Sequence, residues 1–343
     1  MTKVNVGIVG LGLAGYQLHA RAYAQIPMAH LHSLCTRDGQ KLERIGRELG
    51  VANLHTDYER FLDDEKLEAV SICVTDPHHF EYARKAVERG KHVMCEKPLG
   101  TTLEQVRGLV ELMRGRKTRF AVGQVYRFVP QFVTIKNMLE GGRLGRLFHI
   151  DCDYQQDMRE LYKATPWRRD DKSWNSWVAG GVYVMDLARY IGGDVQEIMM
   201  YANKGEEDPE CGPLEDNHLA IMKLEGGATC KVWEVRCIKR APEFTINLGV
   251  YGARGSALGS LVDNQVRCFA LDDGEKQEGF ASILAERIGG IPIRYELEDF
   301  LSSIVHDHPP RCDVLDGART VATVLAGVES QKAGHPVKVP EVE

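Results

Sequence analysis

No apolar run in the 343-residue chain approaches the roughly 20 residues that a membrane-crossing helix needs. An excess of positive charge is missing too. Lysine and arginine number 43 against 49 acidic residues, a net charge of −6, with no basic run or stripe, which argues against nucleic acid as partner. Nine cysteines are scattered without a C-x-x-C pair, the pattern of reduced thiols in a cytosolic protein. The twelve histidines form neither H-x-x-x-H nor H-E-x-x-H, so no metal is expected. No charged-then-apolar leader precedes the first strand-like run. There is no internal repeat, low-complexity tract or long linker. The expectation is a cytoplasmic, globular protein.

What is present is 43% hydrophobic and 27% charged residues over a length that suits two domains. The first apolar run, Val4 to Val9, leads into Gly10-Leu11-Gly12-Leu13-Ala14-Gly15. A G-x-G-x-x-G between strand and helix suits a pyrophosphate. Gly10 permits the turn, Gly12 lets the phosphates approach the backbone, and Gly15 lets helix and strand pack closely, with helix amides facing the phosphates. Leu13 and Ala14 belong to that cradle. The second strand, His30 to Cys35, ends at Thr36-Arg37-Asp38. An NAD-binding fold usually carries an acid about here for the ribose 2′-hydroxyl. Thr36 and Arg37 instead suit a 2′-phosphate and favour NADP, while Asp38 keeps NAD open.

Helical patterns follow at Gly39–Gly50, Asp57–Leu62, Phe80–Arg89 and Leu103–Arg116, alternating with strands at Ala69–Val74, His92–Cys95 and Arg119–Val122. This alternation predicts a doubly wound parallel sheet over residues 1–124. The strand from Ala69 delivers Thr75, Pro77 and His78 to the edge where such sheets keep ligands, and the next delivers Glu96-Lys97-Pro98 to the same edge. Pro98 restricts Lys97 to extended conformations, so its ammonium is aimed. After Gly123 the pattern changes. A helix to Glu140 and a half-buried strand from Leu147 to Gln155 precede a polar, Trp-rich loop over 157–176. A helix after Gly180-Gly181 and six strands between Val195 and Leu271 come next. Helices around Arg294–Val305 and Gly317–Lys332 close the chain. Residues 125–343 are read as an α+β domain with a large, mainly antiparallel open sheet. The acidic, turn-rich stretch Gly205–Leu214 reads as a solvated connection.

Taken together, several blocks resemble the glucose–fructose oxidoreductase, inositol dehydrogenase and rhizopine-catabolism (Gfo/Idh/MocA) family. They are Gly10–Gly15, Gly90 through Leu99 with its Glu96-Lys97-Pro98, Tyr126-Arg127-Phe128 with Pro130, Gly142 to Gly145, Trp167-Arg168, Asp186 to Tyr190, Tyr251 to Gly255, Asp316-Gly317 and Glu329-Ser330. The resemblance implies a Rossmann domain and NAD(P)-linked hydride transfer on a sugar, sugar derivative or cyclitol. It also implies a homodimer or homotetramer built through the C-terminal sheet. Lys97 matches the family lysine that handles the hydroxyl proton. Glu96 matches a residue beside the nicotinamide ribose, and Thr75, Pro77 and His78 match the loop at the pyrophosphate and ribose.

The departure is at the second catalytic position, where many members have a His. Anchoring on Asp186 to Ile191 puts Tyr183 there and Ala179 where an earlier Asp is common; anchoring on Gly180-Gly181 puts Tyr190 there. Asp186 is read as an acceptor for substrate hydroxyls, and Tyr126, Tyr154, Trp167 and Arg168 as pocket walls. Two rival readings stay open: a redox-neutral glycosidase or lyase with tightly held NAD, and a non-catalytic NADP-binding sensor.

Overall fold

The computed structural model describes residues 3–166, 168, 176–205, 209–238, 244–271, 278–284 and 292–343. Trp167 lies outside the described residues. The chain divides into two units, one of residues 1–125, 291–321 and 342–343, the other of residues 126–290 and 322–341.

The first unit is built on six parallel strands. In chain order they are β1 (Val4–Val9), β2 (Ala29–Cys35), β3 (Asn53–His55), β4 (Ala69–Ile72), β5 (His92–Cys95) and β6 (Phe120–Val122). In space they run β3-β2-β1-β4-β5-β6. The order reverses at β1, and ligands of such sheets bind at that switch, beyond the carboxyl strand ends. β4 is buried at every position, as a strand covered on both faces must be. The covering helices start where polar side chains can cap them. Asp38 accepts from the Lys41 amide ahead of α2 (Gly39–Leu49), and Asp57 from the Arg60 amide ahead of α3 (Tyr58–Leu62). Thr102 caps α5 (Leu103–Met113) in the same way, while α4 (His79–Glu88) follows a short 3₁₀ turn, Asp76–His78. The helix after the glycine turn, α1, carries π hydrogen bonds over Leu13–Ala20 and α bonds over Arg21–Tyr23. π turns of this kind concentrate at functional sites.

In the second unit, nine strands form one sheet in the order β14-β13-β12-β11-β7-β10-β9-β8-β15. They are β7 (Leu147–Gln156), β8 (Val195–Asn203), β9 (Asn217–Leu224), β10 (Thr229–Arg236), β11 (Thr245–Gly252), β12 (Gly255–Ser260), β13 (Gln265–Leu271), β14 (Glu278–Leu284) and β15 (Val337–Lys338). β7 and β10 pair in parallel and the other pairs are antiparallel. β9 alternates strictly, with His218, Ala220, Met222 and Leu224 inward. Helices α6 (Pro130–Glu140), α7 (Arg159–Ala164) and α8 (Val182–Gly192, entered through a π turn at Trp177–Gly181) belong to this unit.

Three expectations change. Part of the loop expected over 157–176 is helix α7. β3, β14 and β15 were not foreseen, because three- or two-residue strands and a β14 bordered by polar residues carry no period. Residues 291–321 group with the first unit rather than with the domain expected over 125–343. The helix α9 (Ile293–Val305) buries Leu297, Phe300 and Leu301 in one core with Val6, Ile8 and Tyr23. Among the described residues, no helix is long and apolar enough to cross a membrane.

Candidate active site

β1 ends at Gly10, whose amide donates to the Cys35 carbonyl (3.0 Å), tying the turn to β2. Gly10 has φ +88°, and a Cβ there would stand 2.5 Å from the Cys73 carbonyl oxygen. A Cβ on Gly15 would stand 1.9 Å from the Gly10 carbonyl oxygen. At Gly12, by contrast, a Cβ meets nothing within 4 Å. The turn is closed beneath and open above Gly12, and it leads into the amino end of α1. This shape leaves room for the pyrophosphate of a dinucleotide. Leu13, 59% exposed, borders the open side with the half-buried Ala14.

At the tip of β2, the Thr36 amide donates to the His55 carbonyl (3.1 Å) and the Arg37 side chain is exposed. Asp38 is occupied by its helix cap, with the Lys41 amide 3.0 Å from Oδ1. Thr75, Pro77 and His78 are exposed at the carboxyl end of β4, while their neighbour His79 is buried. His79 Nδ1 lies 2.6 Å from the Pro98 carbonyl and Nε2 lies 3.0 Å from the Val74 carbonyl. Each ring nitrogen therefore faces a backbone carbonyl, one from each loop. The ring pins the Thr75 loop to the turn that carries Lys97. The Lys97–Pro98 peptide is cis. Lys97 is half-buried at the carboxyl end of β5, two strands from β1.

Glu96 precedes it with only 14% of its side chain exposed. Burial would raise its carboxyl pKa; its interactions with His19, to which it is hydrogen-bonded, and then with Lys97 and His79 outweigh that and hold it below the ordinary range. The sequence reading missed His19, Ser71 and Tyr23, which support Glu96 from below. A polar residue inside an apolar helix face and another inside a buried strand were the available signals.

The second unit gathers an aromatic group. Tyr183, half-buried on α8, stacks on Tyr154 (6.3 Å between ring centres, 8°) and meets Tyr126 edge-on (4.9 Å). Phe244 packs on both Tyr126 and Tyr154. The Arg236 guanidinium lies over the Tyr154 ring at 5.1 Å and pairs with Glu234, which accepts from His218 Nδ1 at 2.7 Å. Gly180 makes this possible, since a Cβ there would coincide with the guanidinium, and a Cβ on Gly181 would strike Trp177. Tyr183, Tyr154 and Tyr126 therefore share one wall. Arg168 is half-buried and acts on Tyr154 through its charge. Tyr190, the alternative to Tyr183, sits instead beneath the Arg127 guanidinium (5.1 Å).

Asp186 departs from its expected role as a hydroxyl acceptor. It is 1% exposed, and its two oxygens accept from Arg127 Nε and Nη2 at 2.7 and 2.8 Å. A carboxylate so deeply buried needs a paired cation, and Arg127 is that cation. The stretch Gly205–Leu214, read as solvated, contains the buried Cys211. Cys211, Asp216 and Cys237 meet with their ligand-type atoms within 4.8 Å, the one such grouping among the described residues. Burial raises the Cys237 thiol pKa strongly, and Met158, Tyr162 and Ala179 pack around this group. All nine cysteines are reduced thiols, and each is buried.

A parallel sheet with a glycine turn at its switch point, and a lysine two strands away at the same edge, define a dinucleotide-binding oxidoreductase. Comparison with known proteins gives the family. Residues 4–124 match the oxidoreductase family's NAD-binding Rossmann fold, and residues 136–339 match its C-terminal alpha/beta domain. The chain belongs to the Gfo/Idh/MocA oxidoreductase family. It is 25% identical to levoglucosan dehydrogenase of Pseudarthrobacter phenanthrenivorans, over 100% of both chains. It is 28% identical to scyllo-inositol 2-dehydrogenase (NAD(+)) of Bacillus subtilis, over 98% of this chain and 96% of that one. The solved structure of levoglucosan dehydrogenase with NADH and levoglucosan shares the fold, with TM-score 0.90 and 24% identity over 99% of this chain and 100% of that one.

Proposed function

We propose that the protein is an NAD(P)-dependent dehydrogenase or ketoreductase that moves a hydride between the nicotinamide and a secondary hydroxyl or ketone of a sugar, sugar derivative or cyclitol. The observation that carries this reading is Lys97 at the carboxyl end of β5, beside a Glu96 held ionised, on the sheet edge that also presents the open turn at Gly12. The nicotinamide, when bound, supplies the hydride acceptor or donor. In ketone reduction the Lys97 ammonium stabilises the developing alkoxide with its charge; in oxidation Lys97 enters as the neutral amine, takes the hydroxyl proton and leaves as the ammonium. Tyr183 is the second proton-transfer group, and Tyr126, Tyr154 and Arg168 shape the substrate site. A phenol has an ordinary pKa near 10, so Tyr183 serves best as the acid in ketone reduction.

For the cofactor we propose a preference for NADP(H). Arg37 is exposed at the tip of β2, and Asp38, the acid that could hold a ribose 2′-hydroxyl, is engaged as a cap. We also propose a homo-oligomer through the sheet of the second unit, and a polyol ring as substrate, as the names of the relatives suggest.

The test follows nicotinamide absorbance across levoglucosan, inositols and free sugars, with NAD⁺ and NADP⁺ in parallel. A rise that disappears in Lys97→Ala, by about a thousandfold or more (~4 kcal/mol), is expected. Undiminished turnover by Lys97→Ala overturns the mechanism. Arg37→Ala should weaken NADPH binding about tenfold and leave NADH binding within about twofold; equal losses overturn the NADP preference.

A further inference from the structure

Beneath Glu96 lies a chain of polar side chains that none of the proposed roles uses. His19, in the π-wound part of α1, is fully buried. Its Nε2 is 3.0 Å from Glu96 Oε1, and its Nδ1 is 2.9 Å from Ser71 Oγ on β4. Ser71 Oγ is in turn 2.9 Å from the Tyr23 hydroxyl, at the end of α1. Ser71 is fully buried and Tyr23 is 1% exposed.

The proton positions follow by elimination. An ionised Glu96 only accepts, so His19 Nε2–H donates to it. Tyr23 keeps its proton, because burial drives its pKa far up, and it donates to Ser71. Ser71 then has its own O–H for His19 Nδ1, which accepts. In this arrangement His19 donates through Nε2 to Glu96 and accepts at Nδ1 from Ser71. Every dipole from Tyr23 through Ser71 and His19 points at Glu96, and hydrogen bonds aligned this way strengthen one another. Beyond Tyr23 lie the apolar side chains of Leu297 and Phe300, and the buried Glu296 acts on the Tyr23 hydroxyl through its charge. On the other side, Glu96 Oε2 faces the Lys97 amide at 3.3 Å and the Gly123 backbone, where a Cβ would stand 3.3 Å from that oxygen.

We propose that His19 is a positioning residue for the reaction: with Ser71 and Tyr23 behind it, it fixes the orientation and the negative charge of Glu96 beside Lys97. The importance of this for turnover rests on the reading of Lys97 given above. The groups facing Glu96 are His19 from α1, Lys97 next to it, His79 from α4, and the thiols of Cys73 after β4 and Cys95 on β5. Without the His19 donor, burial of Glu96 is less well opposed and its carboxyl protonates at higher pH. A neutral Glu96 withdraws a counter-charge from Lys97, so turnover falls first on the acid side.

The test compares the wild-type holoenzyme with His19→Gln and His19→Leu. Gln can donate to Glu96 and accept from Ser71, whereas Leu keeps bulk only. Glu96 is titrated directly by carboxyl ¹³C NMR on glutamate-labelled protein, assigned with Glu96→Gln, and kcat and KM are measured across the same pH range. Thermal melts establish that each variant is folded. In His19→Leu the Glu96 titration and the acid limb of kcat should both move up by about one pH unit or more. At the acid end kcat should fall about tenfold while substrate KM stays within about twofold. His19→Gln should restore both profiles. An unmoved Glu96 titration in His19→Leu overturns the proposal, as does a moved titration with an unmoved acid limb, or a His19→Gln variant that behaves like His19→Leu. Active Lys97→Ala would refute the Lys97 reading separately, and the NMR titration would still decide whether His19 holds the charge of Glu96.

Discussion

Gly12 and Gly15 stand three residues apart in one motif, yet an added methyl would meet opposite surroundings. At Gly15 it would stand 1.9 Å from the Gly10 carbonyl oxygen, so the helix and turn must separate. Overpacking of this kind costs about 1–3 kcal/mol, and Gly15→Ala should unfold at correspondingly lower urea concentration. At Gly12 the methyl meets nothing within 4 Å and enters only the space a nucleotide would use. Gly12→Ala should therefore melt within about 2 °C of wild type while NADH or NADPH binding, followed by fluorescence titration, weakens about tenfold or more (~1.4 kcal/mol). Unchanged affinity in Gly12→Ala would remove the pyrophosphate from this turn. The glycine spacing was legible in the sequence because φ and close approach act through one residue at a time. His19 was not, because its partners Ser71 and Glu96 lie 52 and 77 residues away.

At the scale of elements, the most consequential contact in the second unit joins the turn Val125–Phe128 to α8 through Arg127 and Asp186. Both side chains are buried, and the pair seats Tyr126 against Tyr183. Removing one partner leaves a buried charge uncompensated, so Asp186→Ala should lose about 3–5 kcal/mol in denaturant melts. Replacing both with apolar residues of similar size, Arg127→Met with Asp186→Leu, should regain most of that loss. A carboxylate that instead held substrate hydroxyls would show a large rise in KM and little change in stability, and that outcome would return Asp186 to the substrate site. The sequence could not separate these roles. It placed an acid on a buried helix face but said nothing of the arginine 59 residues earlier that meets it. Elements with strong periods were foreseen: β1, α2, α4, β9 and α8 appear where the apolar pattern put them. The π turns at Leu13–Ala20 and Trp177–Gly181 have no such signature, since one extra residue in a helical turn leaves the composition unchanged.

At the scale of the whole molecule, two features depend on contacts that periodicity does not encode. The apolar stripe of α9 announces a buried face, but not that its partner is the core around Val6 and Tyr23 nearly 300 residues earlier. The sheet of the second unit raises the same question from the other direction. Its inner face is closed by residues such as Ile150, Cys152, Val232 and Leu248. On its outer face, β8 and β9 place Tyr201 opposite Leu219, with Ile221 beside them, at 60%, 37% and 53% exposure. Polar groups adjoin this strip, including Lys231 bonded to Asp151 at 3.0 Å. Solvated antiparallel faces usually alternate to polar residues, so these neighbouring large apolar side chains are where the proposed oligomer would make its contact. A stable interface buries about 800 Å² per partner, which a sheet face of this breadth can supply. Sedimentation velocity at micromolar concentration should show a dimer or tetramer, and Tyr201→Asp with Ile221→Asp should shift it to smaller species. Because these side chains point away from the inner core, the paired variant should keep its monomer fold by circular dichroism. A monomeric wild-type protein, or an oligomer indifferent to both charges, would show that this face is not the contact.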